Sequence, residues 1–167
     1  MRVLGIDCGT EYTGFGVVDL LPDGGLKCCT CGAVKASSRD PMAERLSRIF
    51  TCLSDVIREH QPDNVAIEDV FYALNVKSAL KLGQVRGVAM LAAASAGLAV
   101  AEYSPLSIKS AVVGYGRAEK QQVQQMVTLL LHLESAPESP DAADALAIAI
   151  CHLHTSATLQ LQRAVGR

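Results

Sequence analysis

Residues 2 to 36 hold three apolar, strand-length runs in succession, with turn signals between them and no stretch long enough for a helix. RVLGID (2–7) reads as a buried strand, and TGFGVVDL (13–20) alternates enough for a second. Pro22-Asp23-Gly24-Gly25 is a turn signal, and LKCCTCGAVKA (26–36) completes a hairpin. The chain therefore begins as three strands in a row.

Beyond Ala36 the chain alternates between helix and strand. Asp40-Pro41 opens a helix, with Asp40 as N-cap and Pro41 at the first helical position. Met42, Leu46, Ile49, Phe50, Leu53, Val56 and Ile57 recur at helical spacing, and His60-Gln61-Pro62 ends the helix. NVAIEDV (64–70) is a fourth strand, 75–96 a long helix with Gly97 as its cap, and LAVAEY (98–103) a fifth strand. Ser104-Pro105 starts a short helix, 118–133 forms another, and Ser139-Pro140 starts the last, which runs to about His154. The pattern predicts an α/β fold: a mixed sheet with helices on both faces. The expectation is one domain over 1–157 and a mobile polar tail over 158–167.

A chain of 167 residues suits one domain, and 50% hydrophobic residues supply its core. With aromatics at 4% and no Trp, that core must be built from Ala, Val, Leu and Ile. No cleavage signal follows Met1-Arg2, and the longest uncharged run, between Arg86 and Glu102, is too short and too Ala-rich for a membrane span. The expected location is cytoplasmic, with reduced cysteines. Cys28, Cys29 and Cys31 lack a second pair at finger spacing and read as small hydrophobes rather than zinc ligands. The four histidines, His60, His132, His152 and His154, read as surface residues.

Sites in such sheets gather at strand C-terminal ends. Asp7 ends the first strand and Glu68 follows Val65-Ala66-Ile67 in the fourth. Either could be an ordinary strand-end carboxylate. PDAADALAIAI places Asp141 and Asp144 three apart on one face at a helix start. The helix dipole favours acids there, but Asp144 lies past the first turn among Ala and Leu, where a carboxylate needs a cation. Together the four acids could give hard oxygen ligands to divalent ions. Two such ions, about 3.5–4 Å apart, can clamp the attacking and leaving oxygens of a phosphodiester. The net charge of −2, from 15 basic and 17 acidic residues, is not the basic excess of a typical nucleic-acid binder. Setting four acids aside for cations leaves 13 against 15, a remainder of +2, so the net charge is a caution and not a veto.

GIDCGTEYTGFGVV, AIEDVFYALNVKSALKLGQVRGVA, VVGYGRAEKQQVQ and DAADALAIAICH, in this order and spacing, resemble Holliday junction resolvases of the RuvC type, from Met1 to about His154. The resemblance implies a ribonuclease H-like fold with sheet order 3-2-1-4-5 and a homodimer. It implies paired, symmetric cuts in four-way DNA junctions that leave 5′-phosphates, in recombination and repair. It implies two Mg²⁺ ions per subunit, Mn²⁺ being able to substitute, held by the catalytic acids Asp7, Glu68, Asp141 and Asp144. It places a junction wedge at Phe71, with Tyr72 beside it, and basic DNA contacts at Lys109 and Lys120. Lys81, Arg86 and Arg117 are further candidates for phosphate contact. It further implies a RuvA–RuvB branch-migration complex as partner. Gly83 and Gly87, four apart on the long helix, allow close helix approach, either onto the chain's own sheet or, as the resemblance implies, across the seam of a two-fold dimer. One departure is Cys8, where the family usually has Pro; a thiol there could oxidise or bind a softer ion.

Three alternatives share parts of the pattern. An actin-like ATPase fragment also reads Asp-x-Gly-Thr between two strands, but needs a second domain of similar size. A ribonuclease H-like nuclease processing ribosomal RNA precursor shares the opening motif but fits the later segments less well. A non-enzymatic junction-binding module would lack an acid, and none is lacking.

Overall fold

The computed structural model describes residues 1–69 and 75–165. Its strands are β1 (Arg2–Asp7), β2 (Tyr12–Leu20), β3 (Leu26–Lys35), β4 (Asn64–Glu68) and β5 (Ala99–Tyr103). Its helices are α1 (Met42–His60), α2 (Val76–Ser95), α3 (Pro105–Val113), α4 (Lys120–Leu130) and α5 (Pro140–Val165). The sheet order is β3-β2-β1-β4-β5, as the resemblance implied. The first three strands pair antiparallel; β1–β4 and β4–β5 are parallel.

Side-chain alternation along each strand splits the core in two. Leu4, Ile6, Val65 and Ile67 face α1 and α2. Val3, Val18 and Ala66 face the other layer, built from α3, α4 and α5. Both clusters are aliphatic, as the scarcity of aromatics required.

Helix α5 lies close on its face of the sheet, because glycines stand beneath it. A Cβ added at Gly5 would come within 2.1 Å of the Ala145 carbonyl oxygen, and one at Gly14 within 2.0 Å of that of Asp141. No other residue leaves that space free. The alanines of α5, among them Ala142, Ala145 and Ala149, are buried at this contact and keep the helix close from its own side.

Three details differ from the sequence reading. Pro41, not Asp40, is the N-cap of α1; Asp40 lies outside and pairs with Arg48 at 3.0 Å. Helix α5 does not stop near His154 but continues to Val165, through most of the segment read as a tail. Residues 155–165 contain no Gly or Pro to break it. His152 is buried rather than exposed: its Nδ1 meets the Tyr103 hydroxyl at 2.9 Å, and burial lowers its pKa, which keeps the ring neutral.

A Gly14→Ala variant must lift α5 or bend β2, and is expected to lose about 2 kcal/mol of stability, as overpacked cores do. Urea denaturation checks this; an unchanged midpoint would contradict the seating of α5 on Gly14.

Candidate active site

The pairing of β1 and β4 sets the first two acids. Ile6 lies opposite Ile67, so Asp7 and Glu68 come next on adjacent parallel strands, at their C-terminal ends. Alternation turns both toward α5, since the residues just before them, Ile6 and Ile67, face α1 and α2. Asp7 also pairs with Gly14 on β2, the residue under Asp141. The low seat of α5 thus brings its first turns down onto the strand ends that carry Asp7 and Glu68.

The electrostatics show the other three acids acting on Asp7, and Asp144 acting on Glu68. The pKa of Asp7 is pushed up to about 7, first by burial and then by the charges of Asp144, Glu68 and Asp141. Glu68 is raised by burial and by Asp144, against the pull of Lys109, Lys120 and Arg86. The α5 acids have local partners. Asp144 accepts a charged hydrogen bond of 2.5 Å from Lys120 Nζ. Ser139 Oγ donates to Asp141 Oδ2 at 3.1 Å and accepts from the Asp141 N–H at 3.2 Å, holding the helix start.

Among the described residues, no three His, Cys, Asp or Glu side chains converge as a ready-made metal cage. Asp144 is bonded to Lys120 and Asp141 to Ser139. The donor set nevertheless fits hard divalent cations. It offers carboxylate oxygens only, crowded enough that one of them holds its proton near neutrality, and a bound cation relieves that repulsion. Beside the acids lies a cavity of about 200 Å³, lined by Glu68, Asp144, Lys109 and Lys120 and floored by Ile108, Val123 and Ile148.

The basic candidates separate. Lys109 and Lys120 stand at this cavity. Lys81 is exposed on α2 and Arg117 is exposed in the loop between α3 and α4; neither lines the cavity. Arg86, expected as a phosphate contact, is turned inward: its guanidinium bonds the Glu68 carbonyl and the Glu102 carboxylate. The wedge candidates Phe71 and Tyr72 lie outside the described residues. Cys8 packs against the α1–α2 side of the core, away from the acids' face. Burial and then Asp7 push its pKa up to about 12, so it stays a thiol and is a poor ligand for a soft ion.

Sequence reasoning did not single out Gly5 and Gly14 as seats for α5, although both lie in the opening motif. It also passed over Arg45, a buried α1 residue whose guanidinium bonds the Thr10 carbonyl and so braces the loop after Asp7. No local spacing signals either role, because both depend on contacts between distant segments.

The raised pKa of Asp7 has a stability consequence. In the unfolded chain Asp7 ionises near its ordinary value; in the folded chain it holds its proton to about 7. Its contribution is therefore lost as pH rises between those values. In chelator, Asp7→Asn is expected to melt like wild type at pH 4 and to be more stable by about 2 kcal/mol at pH 8. Thermal melts across that range check it; a gap that does not grow with pH would contradict the crowded-acid description.

Comparison with known proteins gives a consistent result. The family model described as crossover junction endodeoxyribonuclease RuvC matches residues 3–152. The crossover junction endodeoxyribonuclease RuvC of Koribacter versatilis is 67% identical over 159 residues, covering 95% of this chain and 96% of that one. The structure of RuvC from Thermus thermophilus superposes with a TM-score of 0.88 at 36% identity, covering 95% of this chain and 96% of the other. The same organism's RuvC in complex with a Holliday junction substrate gives 0.87 at 33% identity with the same coverage.

Proposed function

This chain belongs to the RuvC family of crossover junction endodeoxyribonucleases, and on that premise we propose that it resolves Holliday junctions with Asp7, Glu68, Asp141 and Asp144 as its catalytic acids. The observation that carries the assignment of residues is the electrostatic pressure on Asp7 from Asp144, Glu68 and Asp141, and on Glu68 from Asp144, at one end of the sheet. An isolated strand-end aspartate would meet water and keep an ordinary pKa. A buried one surrounded by three other acids fits a cation site.

The family is one of metal-dependent nucleases. Here the four acids would hold two Mg²⁺ ions, with Mn²⁺ able to substitute. Bound there, the ions would supply activation of water and stabilisation of the leaving 3′ oxygen. The chain's own groups do the rest. Asp7, at the strand end, is the most crowded acid and must lose its proton before it can bind a cation. Lys120 balances Asp144 and, with Lys109, brings positive charge to the cavity mouth, where a phosphodiester's oxygens need donors. The cut is a direct hydrolysis leaving a 5′-phosphate, with no covalent enzyme intermediate. Phe71 and Tyr72 supply stacking surfaces for bases opened at the junction. Lys81 and Arg117, both exposed, add phosphate contacts further out.

A four-way junction presents two like strands, so two copies related by a two-fold axis are needed for paired cuts. Helix α2 carries a suitable seam. Leu80 and Leu91 are 66% and 56% exposed, and no atom of the described residues lies within 4 Å of the space above Gly83 and Gly87 between them. A Leu91→Glu variant is expected to shift the chain to monomer in sedimentation equilibrium and to convert paired cuts into single nicks. A dimer unchanged in mass would move the seam elsewhere. A branch-migration complex of the RuvA–RuvB kind is the expected partner on the junction. No described helix is long and apolar enough to cross a membrane, and the proposed location is cytoplasmic.

The direct test is a synthetic mobile four-way junction incubated with Mg²⁺, with cut positions mapped on all four strands. Wild type is expected to cut two opposed strands symmetrically. Asp7→Asn is expected to bind the junction with unchanged affinity and not to cut it, because it removes a metal ligand and little DNA contact. Normal cutting by that variant would refute the metal assignment. Binding should weaken steeply with added salt.

A further inference from the structure

We propose that Arg86 is a positioning residue for Glu68, clamping the end of β4 to α2 and β5. This rests on the reading of Glu68 as a catalytic acid. The side chain of Arg86 is only 12% exposed, although it stands mid-helix on α2. One guanidinium nitrogen donates to the backbone carbonyl of Glu68 itself, and the other to the carboxylate of Glu102 on β5. Asp69, the next residue, has its carboxylate 3.8 Å from the same nitrogen, and its backbone N–H donates to the Tyr103 carbonyl at 2.7 Å. Three elements therefore meet on one planar cation where β4 ends.

The placement matters because β4 ends at Glu68. An interior strand residue is fixed by ladder bonds on both sides. A terminal one is fixed by fewer, and its side chain swings with its peptide plane. Arg86 bonds that peptide plane directly. A guanidinium suits the task better than an ammonium, since its fork holds two acceptors in fixed directions. The ion pairs contribute little stability: Glu102 and Asp69 are each 43% exposed, and pairs with such partners add little to folding. A small misplacement of a catalytic group, by contrast, can cost about a hundredfold in rate. The same geometry answers the sequence expectation for Arg86, because a guanidinium spent on two internal acceptors is not offered to phosphate.

The test compares Arg86→Gln, Arg86→Lys and Glu102→Gln with wild type, and includes Glu68→Gln as reference. Three quantities are read: single-turnover cleavage at saturating junction, Mn²⁺ binding from the free-ion electron paramagnetic resonance signal without DNA, and junction affinity in chelator. Arg86→Gln is expected to lower both cleavage and Mn²⁺ affinity about tenfold or more, as loss of an orienting partner does. Its junction affinity should be unchanged. Glu102→Gln should move the same two quantities less, and Arg86→Lys should recover part of the loss. Weaker junction binding with normal Mn²⁺ affinity would overturn the proposal in favour of a phosphate contact. A lower melting temperature with normal rate and Mn²⁺ affinity would overturn it in favour of a purely structural role. If Glu68→Gln binds Mn²⁺ and cuts normally, the role of Glu68 fails and the proposal with it. If Glu68→Gln is inactive while Arg86→Gln behaves like wild type, only the role of Arg86 fails.

Discussion

Helix α5 rests so closely on β1 and β2 that a single methyl group at Gly14 would collide with the backbone of Asp141. That contact sets the distance between two layers that carry acids from opposite ends of the chain. Asp7 comes from the first strand, Asp141 and Asp144 from the last helix, and Glu68 from a strand between them. Raising α5 by the thickness of one side chain would separate the helix acids from the strand acids and leave two ordinary pairs of carboxylates. The glycines in the strands and the alanines in α5 are thus two halves of one packing decision.

The result is a site that works against the stability of its own fold. Four acids near one another, partly removed from water, repel, and the cost shows in the proton that Asp7 retains to about neutral pH. Local cations moderate the cost without removing it: Lys120 holds Asp144, while Arg86 and Lys109 act on Glu68. These cations divide by position. Lys109 and Lys120 line the cavity, whereas Arg86 bonds the Glu68 carbonyl.

Much of this is legible in the amino-acid sequence, for physical reasons. Strand-length apolar runs broken by Gly and Pro mark all five strands, and the change from three strands in succession to helix–strand alternation implies a mixed sheet. Asp7 and Glu68 stand out because a charge at the end of an apolar run is costly. Asp144 stands out because it sits past the turn where the helix dipole favours acids. The features that stay hidden depend on contacts between distant segments. Nothing local in TGFGVV says that Gly14 carries a helix, and nothing in QVRGVA says that Arg86 turns inward to a carbonyl 18 residues earlier. The end of α5 is hidden for a different reason: its last turns are polar enough to resemble a tail, although no residue before Gly166 breaks a helix. Cys8 is an ambiguity of one letter; strand alternation, carried one residue past β1, puts it on the opposite face from Asp7.

The central claim is that the four acids brought together by the seat of α5 form one cation site. Anomalous diffraction from crystals soaked in Mn²⁺ tests it most directly. The expected result is anomalous density among Asp7, Glu68, Asp141 and Asp144 in wild type, and its loss or weakening in Asp7→Asn. No anomalous density there, at Mn²⁺ concentrations that support junction cleavage, would contradict the claim.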